Sequence, residues 1–291
     1  MHAFDYATPQ SVADAVVLLN EHGENARVLA GGTDLIVQLR ENRRRAEVVV
    51  DIKGISEANE LSYDVSTGLT IGSAVPCYRV YGDAAIAAAY PGLMDATSLV
   101  GGTGIQGRAS LGGNLCNGSP AGDTIPPMIV LGGVAHIAGP DGTREVAVED
   151  FCTAPGRTVL TKGEFLISLH FPTPEAHSGT YYLRFIPRNE MDIAVVGVGA
   201  SVVLSDDHSR FVSARIALAA VAPTPLFVRE AGDALAGQAV SDESIQKASE
   251  IAQAAARPIS DMRGTAEYRT HLTGVLTRRV LNGAVQRAKE L

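Results

Sequence analysis

The sequence predicts an α+β fold of more than one unit. Helical and strand-like apolar spacings alternate over the first fifty residues, two hairpins with glycine-bearing turns occupy the middle, and long β-like runs give way to helices at the end. The expected units are 1–55, a second α/β subdomain over 56–174, and a C-terminal α+β domain with antiparallel sheet and helices over 178–291.

Thr8 and Pro9 read as an N-cap with proline at the first helical position, and Gly23 as the stop. Between them Val12, Ala15, Val16 and Leu19 recur at i, i+3, i+4 and i+7, which is one buried helical stripe. Arg27–Ala30 reads as a short strand entering the Gly31–Gly32 pair; Leu35, Ile36 and Leu39 suggest a brief helix, and Glu47–Ile52 a second strand. LSYDVSTGLTIGSAV, from Leu61 to Val75, has the alternation and central turn of a hairpin. Ala84–Ala89 and Leu93–Leu99 read as helical, and a glycine-rich stretch runs from Gly101 to Gly122. A second hairpin, Val134 to Phe151, turns at Gly139–Gly142, and Glu164–Phe171 is a strand. The polar, twice-proline segment FPTPEAHSG (Phe171–Gly179) is the expected boundary. Beyond it, Asp192–Leu204 and Phe211–Val221 flank the turn SDDHSR as antiparallel sheet, and Ser241–Ala256 and Gly264–Leu291 are helices.

Bulk properties exclude several functions. The 291 residues are 46 % hydrophobic and 19 % charged, with 24 basic and 32 acidic residues and a net charge of −8. The short Arg43–Arg45 run is the one basic block, better suited to a solvated helix end than to a nucleic-acid surface. No window reaches the ~20 apolar residues of a membrane helix, and the N-terminus lacks the basic-then-apolar pattern of a signal peptide. Cys77, Cys116 and Cys152 are too scattered for a zinc or disulfide framework, which fits a reducing cytoplasm. The seven histidines show no metal spacing and no Ser-His-Asp grouping, so no metal ligand and no catalytic side chain is expected.

Two glycine-rich segments carry the remaining chemistry: AGGTD (Ala30–Asp34) and GRASLGGNLCNGSPAGD (Gly107–Asp123). Neither is a P-loop or a dinucleotide fingerprint of the G-x-G-x-x-G kind. Glycine pairs do let backbone N–H groups converge on an anion, a neutral nest that needs no lysine. A lone GGTD is also compatible with a plain tight turn, and the longer segment with a loop in which Asn and Ser close turns. Two such nests suit a ligand with two phosphates and long polar parts. Ser110, Asn114, Asn117 and Ser119 supply short donors and acceptors, and Asp123 a fixed acceptor for ribityl or ribose hydroxyls.

AGGTDLIVQLR, then GRASLGGNLCNGSPAGDTIPPMIVLG, then PRNEMDIAVVGVGA resemble, in order, the FAD-binding medium subunit of the molybdenum hydroxylases, the family of xanthine dehydrogenase and carbon monoxide dehydrogenase. TPQSVADAVVLL and YRTHLTGVLTRRVL extend the resemblance over nearly the whole chain. It implies two FAD-binding subdomains of the vanillyl-alcohol-oxidase/PCMH type followed by the C-terminal domain. It also implies that the first nest, Leu29, Ala30, Gly31, Gly32, Thr33, Asp34, Leu35 and Ile36, lies under the FAD pyrophosphate. The second segment would wrap the other side through Ser110, Gly112, Gly113, Asn114 and Asn117, with Asp123 on hydroxyls and Val100 or Gly101 in contact before it. Leu166 or Ile167 would pack near the flavin or adenine. Arg184 would stand before a mobile loop at Pro187–Asp192, where Arg188, Glu190 and Asp192 are charged.

The implied role is electron transfer through non-covalent FAD. Electrons would come from two [2Fe–2S] clusters on a small partner subunit, with the molybdenum cofactor on a large one, in a dimer of heterotrimers. They would leave to an external acceptor. Three isolated cysteines cannot ligate iron–sulfur clusters in this chain itself. A self-contained FAD-dependent reductase or oxidase of the same flavin fold is the alternative, although no proton donor for a substrate stands out. Cys77, Cys116 and Cys152 are expected as small apolar core residues, and at most one of Tyr181 and Tyr182 should face inward from a strand.

Overall fold

In the computed structural model residues 1–189 and 191–290 are described; Glu190 of the expected loop and Leu291 of the expected last helix lie outside them. The chain opens with β1 (Asp5–Ala7), α1 (Val12–His22), β2 (Ala26–Leu29), α2 (Leu35–Arg40) and β3 (Val48–Asp51). The three strands form a parallel sheet in the order β1-β3-β2. Helix α1 begins later than Thr8–Pro9 would have it. Ser11 is the cap, its Oγ accepting the Asp14 N–H at 3.1 Å, while the Thr8 carbonyl accepts the Gln10 amide at 2.9 Å. Gly23 does end α1, at φ 51°. The stripe is as expected: Ala15 and Leu19 are buried, with Val12 and Val16 packed beside them. Strand β1 had no sequence signal, because three residues show no alternation and only pairing with the distant β3 creates it.

The second unit contains β4 (Leu61–Asp64), β5 (Gly68–Gly72), α3 (Cys77–Gly82), α4 (Ala84–Ala89), α5 (Pro91–Thr97), α6 (Thr103–Gln106), α7 (Leu111–Asn117), α8 (Ile125–Val130), β6 (Val134–Gly139), β7 (Gly142–Ala147), α9 (Val148–Phe151), β8 (Cys152–Ala154), β9 (Arg157–Thr158) and β10 (Phe165–Phe171). Both hairpins form as read, and β10 inserts between them to give an antiparallel sheet ordered β4-β5-β10-β6-β7. The glycine-rich stretch holds two short helices, α6 and α7, the latter capped by Ser110 and ended by Gly118 at φ 61°. Helix α8, for which no expectation was drawn, carries Pro126 and Pro127 in its first turn, where no N–H is needed.

The C-terminal unit is β11 (Ser178–Phe185), β12 (Val196–Leu204), β13 (Phe211–Ala219), β14 (Leu226–Phe227), α10 (Arg229–Asp233), α11 (Asp242–Ala255) and α12 (Ala266–Glu290). Its antiparallel sheet runs β11-β12-β13-β14. Strand β12 starts at Val196 rather than at Asp192, since Asp192 is engaged in the preceding turn, where its carboxylate accepts from Arg188. Helix α11 has the expected start, a capping box between Ser241 and Ser244. On α12 Leu272, Leu276, Val280 and Ala284 recur every four residues and bury one face in the core shared with the sheet. Each large side chain on that stripe contributes about 1.5–3 kcal/mol. Three arginine–carboxylate joints fasten this unit to the second. Arg287 clasps Asp95 at 2.6 and 2.8 Å, Arg215 and Arg229 share Glu149, and Arg184 meets Asp123.

Candidate functional site

The two glycine segments meet. A cavity of about 230 Å³ is lined on one side by Ala30, Gly31, Gly32, Thr33, Asp34 and Leu35, and on the other by Ser110, Gly112, Gly113, Asn114 and Asn117. A hydrogen bond from Gln38 Nε2 on α2 to Asn117 Oδ1 on α7, 3.2 Å long, ties the two walls together. Val100, Leu160, Phe165 and Leu166 supply apolar surface. A bulge between Leu166 and Ser168 breaks the two-residue alternation of β10 at this wall.

Several donors here have no protein partner. Among the described residues, the N–H groups of Gly31 to Leu35 reach no acceptor, because α2 makes its first backbone bond from Ile36 to the Gly32 carbonyl, at 3.0 Å. Ser73, also in the lining, is 3 % exposed and its Oγ is unpaired, as is the Nε of Arg27. Burial, then repulsion from Arg44, lowers the Arg27 guanidinium below its ordinary value; both arginines line the cavity. Unpaired buried donors are costly, and two like charges repel, so an anion with further acceptors relieves both. These residues therefore fit a phosphate-bearing ligand.

The family described as FAD binding domain in molybdopterin dehydrogenase matches residues 2–174, and that described as CO dehydrogenase flavoprotein C-terminal domain matches residues 181–284. The chain belongs to the FAD-binding medium subunits of the molybdenum hydroxylases. It is 36 % identical to the carbon monoxide dehydrogenase medium chain of Afipia carboxidovorans, covering 99 % of this chain and 98 % of that one. It is 32 % identical to a xanthine dehydrogenase FAD-binding subunit of Escherichia coli O157:H7, over 98 % of each. Among solved structures, carbon monoxide dehydrogenase from Hydrogenophaga pseudoflava superimposes with a TM-score of 0.94 at 30 % identity over 98 % of both chains. The chain is thus an FAD-binding subunit of an oxidoreductase, with the α+β fold of these medium subunits.

Within this medium subunit the four glycines divide their work. A Cβ on Gly31 would lie 1.9 Å from the Arg108 carbonyl oxygen, and one on Gly112 2.6 Å from Ser73 Cα. Those two are glycines because protein backbone presses on them. Gly32 takes φ 79°, a conformation side chains resist, and a Cβ on Gly113 would meet only the Ser110 hydroxyl, at 3.0 Å.

Not every expected contact lines the cavity. Leu29 is buried behind the pair, Ile36 points outward at 42 % exposure, Gly101 turns at φ 57° over Ile105, and Ile167 packs into the N-terminal core, leaving Leu166 as the wall residue. Asp123 and Arg184 also stand outside the lining. Asp123 Oδ1 accepts from the Tyr182 hydroxyl at 2.8 Å and Oδ2 from Arg184, so the carboxylate that was expected to take ligand hydroxyls is already engaged by protein donors. Burial pushes the Asp123 carboxyl up, and the Arg184 charge opposes that. The trio sits beside the cavity wall, since the neighbouring Thr124 hydroxyl donates to Asn114 Oδ1 at 2.8 Å. Arg184 also donates to the Asp192 carbonyl at 3.4 Å, which links the wall to the residues just before β12.

Sequence reasoning missed Arg27, Gln38, Arg44 and Ser73. Arg44 belongs to the run assigned to solvent; Arg43 pairs with Glu41 there at 2.9 Å, but Arg44 turns to the cavity. Cys116 is half-buried, packed against the core of the second unit as expected and also lining the cavity, and burial pushes its thiol up to about 12, so it stays protonated. Tyr182 is the inward tyrosine of its pair, while Tyr181 lies under Arg287. Among the described residues no group of three or more His, Cys, Asp or Glu could hold a metal ion, and no helix is long and apolar enough to cross a membrane.

Proposed function

We propose that this subunit relays electrons through FAD held between the two glycine segments. The observation that carries the reading is the run of unpaired N–H groups from Gly31 to Leu35, facing α7 across one cavity. Those groups would hold the pyrophosphate, with Thr33, Asp34, Ser110, Asn114 and Asn117 as polar neighbours and Arg27 and Arg44 as counter-charge. Val100, Phe165 and Leu166 would pack against a ring. Since about 230 Å³ is smaller than the ~300–1,000 Å³ of a typical ligand pocket, the cavity would enclose only part of FAD. Asp123 and Arg184 would act through the trio with Tyr182, setting the charge behind the Asn114 wall.

The chain would work as three units, 1–55, 56–174 and 178–291, the first two presenting one glycine segment each. Bound FAD would supply the redox chemistry between [2Fe–2S] clusters of a small partner and an external acceptor, and a large partner would carry the molybdenum cofactor. The assembly would be a dimer of heterotrimers, and the three free thiols fit a reducing cytoplasm.

Purification from the native host tests this. The expected product is a yellow complex that releases FAD on denaturation and contains a large molybdenum chain and a small iron–sulfur chain. A chain that came out alone and oxidised a substrate unaided would make it a self-contained flavoenzyme.

A further inference from the structure

The carbonyls of Ala30 and Gly31 are held by side chains that stand outside the cavity lining. Lys53 Nζ donates to the Ala30 carbonyl at 3.2 Å and to Asp51 Oδ1 at 2.6 Å. Asp51, only 6 % exposed, also accepts the Tyr6 hydroxyl and the Lys53 backbone N–H, the latter at 3.0 Å. On the other side Arg108 Nε donates to the Gly31 carbonyl at 3.3 Å. Neither cation is part of the cavity lining, whereas Ala30, Gly31 and Gly32 are.

A trans peptide is planar, with its C=O and N–H pointing in opposite directions. The Ala30 carbonyl shares its peptide with the Gly31 N–H, and the Gly31 carbonyl shares its peptide with the Gly32 N–H. Glycine peptides rotate more readily than others, so without a hold these two units could turn their carbonyl oxygens toward the site and repel an anion. We propose that Lys53 and Arg108 are positioning residues that draw the Ala30 and Gly31 carbonyls outward and so aim the Gly31 and Gly32 N–H groups at the cofactor phosphates. Asp51, steadied by Tyr6, holds Lys53 in place. This assignment rests on the reading of the cavity as the FAD site.

A simpler role for Lys53, as a nearby positive charge, predicts a different sign for one variant. Asp51→Asn removes a negative charge close to the site. If only charge mattered, that change would tighten binding of a phosphate ligand. If Asp51 braces Lys53, it weakens binding.

The test titrates the full-length apo chain with FAD and with ADP, whose binding also depends on the phosphates, and records each variant's melting temperature. Lys53→Met and Arg108→Met should each weaken both ligands about tenfold, the scale of one charge-assisted hydrogen bond, with little change in melting temperature. Lys53→Arg should restore most of the affinity, and Asp51→Asn should weaken FAD. Tighter FAD binding by Asp51→Asn, or wild-type affinity in both methionine variants, overturns the brace. Failure of the unsubstituted chain to bind FAD would instead defeat the reading of the cavity.

Discussion

The two glycine pairs line one cavity and reach it by different local structure. The first pair follows β2 and is left as bare backbone, with the donors of Gly31 to Leu35 unspent, while the Ala30 and Gly31 carbonyls accept from the side chains of Lys53 and Arg108. The second lies inside the first turn of α7, where Ser110 already consumes the Gly113 N–H at 3.0 Å. Both pairs nevertheless combine one glycine pressed by protein backbone with one that is not. A doublet in a sequence can therefore hold one residue that close backbone contact requires and one on which no backbone presses.

Substitutions separate the two kinds. The largest effect is expected for Gly31→Ala and Gly112→Ala, whose new Cβ atoms collide with backbone at 1.9 and 2.6 Å; each should lose about 3 kcal/mol or more in denaturant unfolding. A wild-type unfolding midpoint in either would remove the distinction. Gly32→Ala comes next. Its φ of 79° costs an alanine about 1–2 kcal/mol, and Leu29 Cδ1 at 2.8 Å must also move. Reduced affinity for FAD should accompany that loss. Gly113→Ala is the mildest, because only a capping hydroxyl stands near its Cβ and alanine favours a helix by roughly 1 kcal/mol. Calorimetry should find its fold intact while FAD binds more weakly; normal FAD binding would show that α7 does not approach the cofactor there.

Much of the fold was legible because local patterns agreed with tertiary contacts. Both hairpins, the α1 stripe and the Ser241 cap follow from spacing and turn chemistry alone. The failures have physical causes. β1 exists only through its partner strand, and α8 carries prolines that a first helical turn accommodates. In the site, glycine and asparagine were readable because their chemistry is local, and both segments do line one cavity. Ser73, Arg27 and Arg44 were not, because a lone serine after a strand, an arginine within a short strand or one past a helix end acquires its neighbourhood only on folding. Asp123 shows the converse. Its position after Gly122 suggested a ligand acceptor, yet Tyr182 and Arg184, some sixty residues later, each engage one of its oxygens and it stands outside the cavity lining.

The Tyr182–Asp123–Arg184 trio also limits how such subunits can be recombined. Its carboxylate lies in the region matched by the flavin-binding family and its two donors in the C-terminal one. A chimera that joined this FAD-binding portion to a C-terminal portion lacking the tyrosine and arginine would bury a lone carboxylate at the seam, a cost of several kcal/mol. The seam therefore restricts exchange between lineages to portions that carry matching halves of the trio.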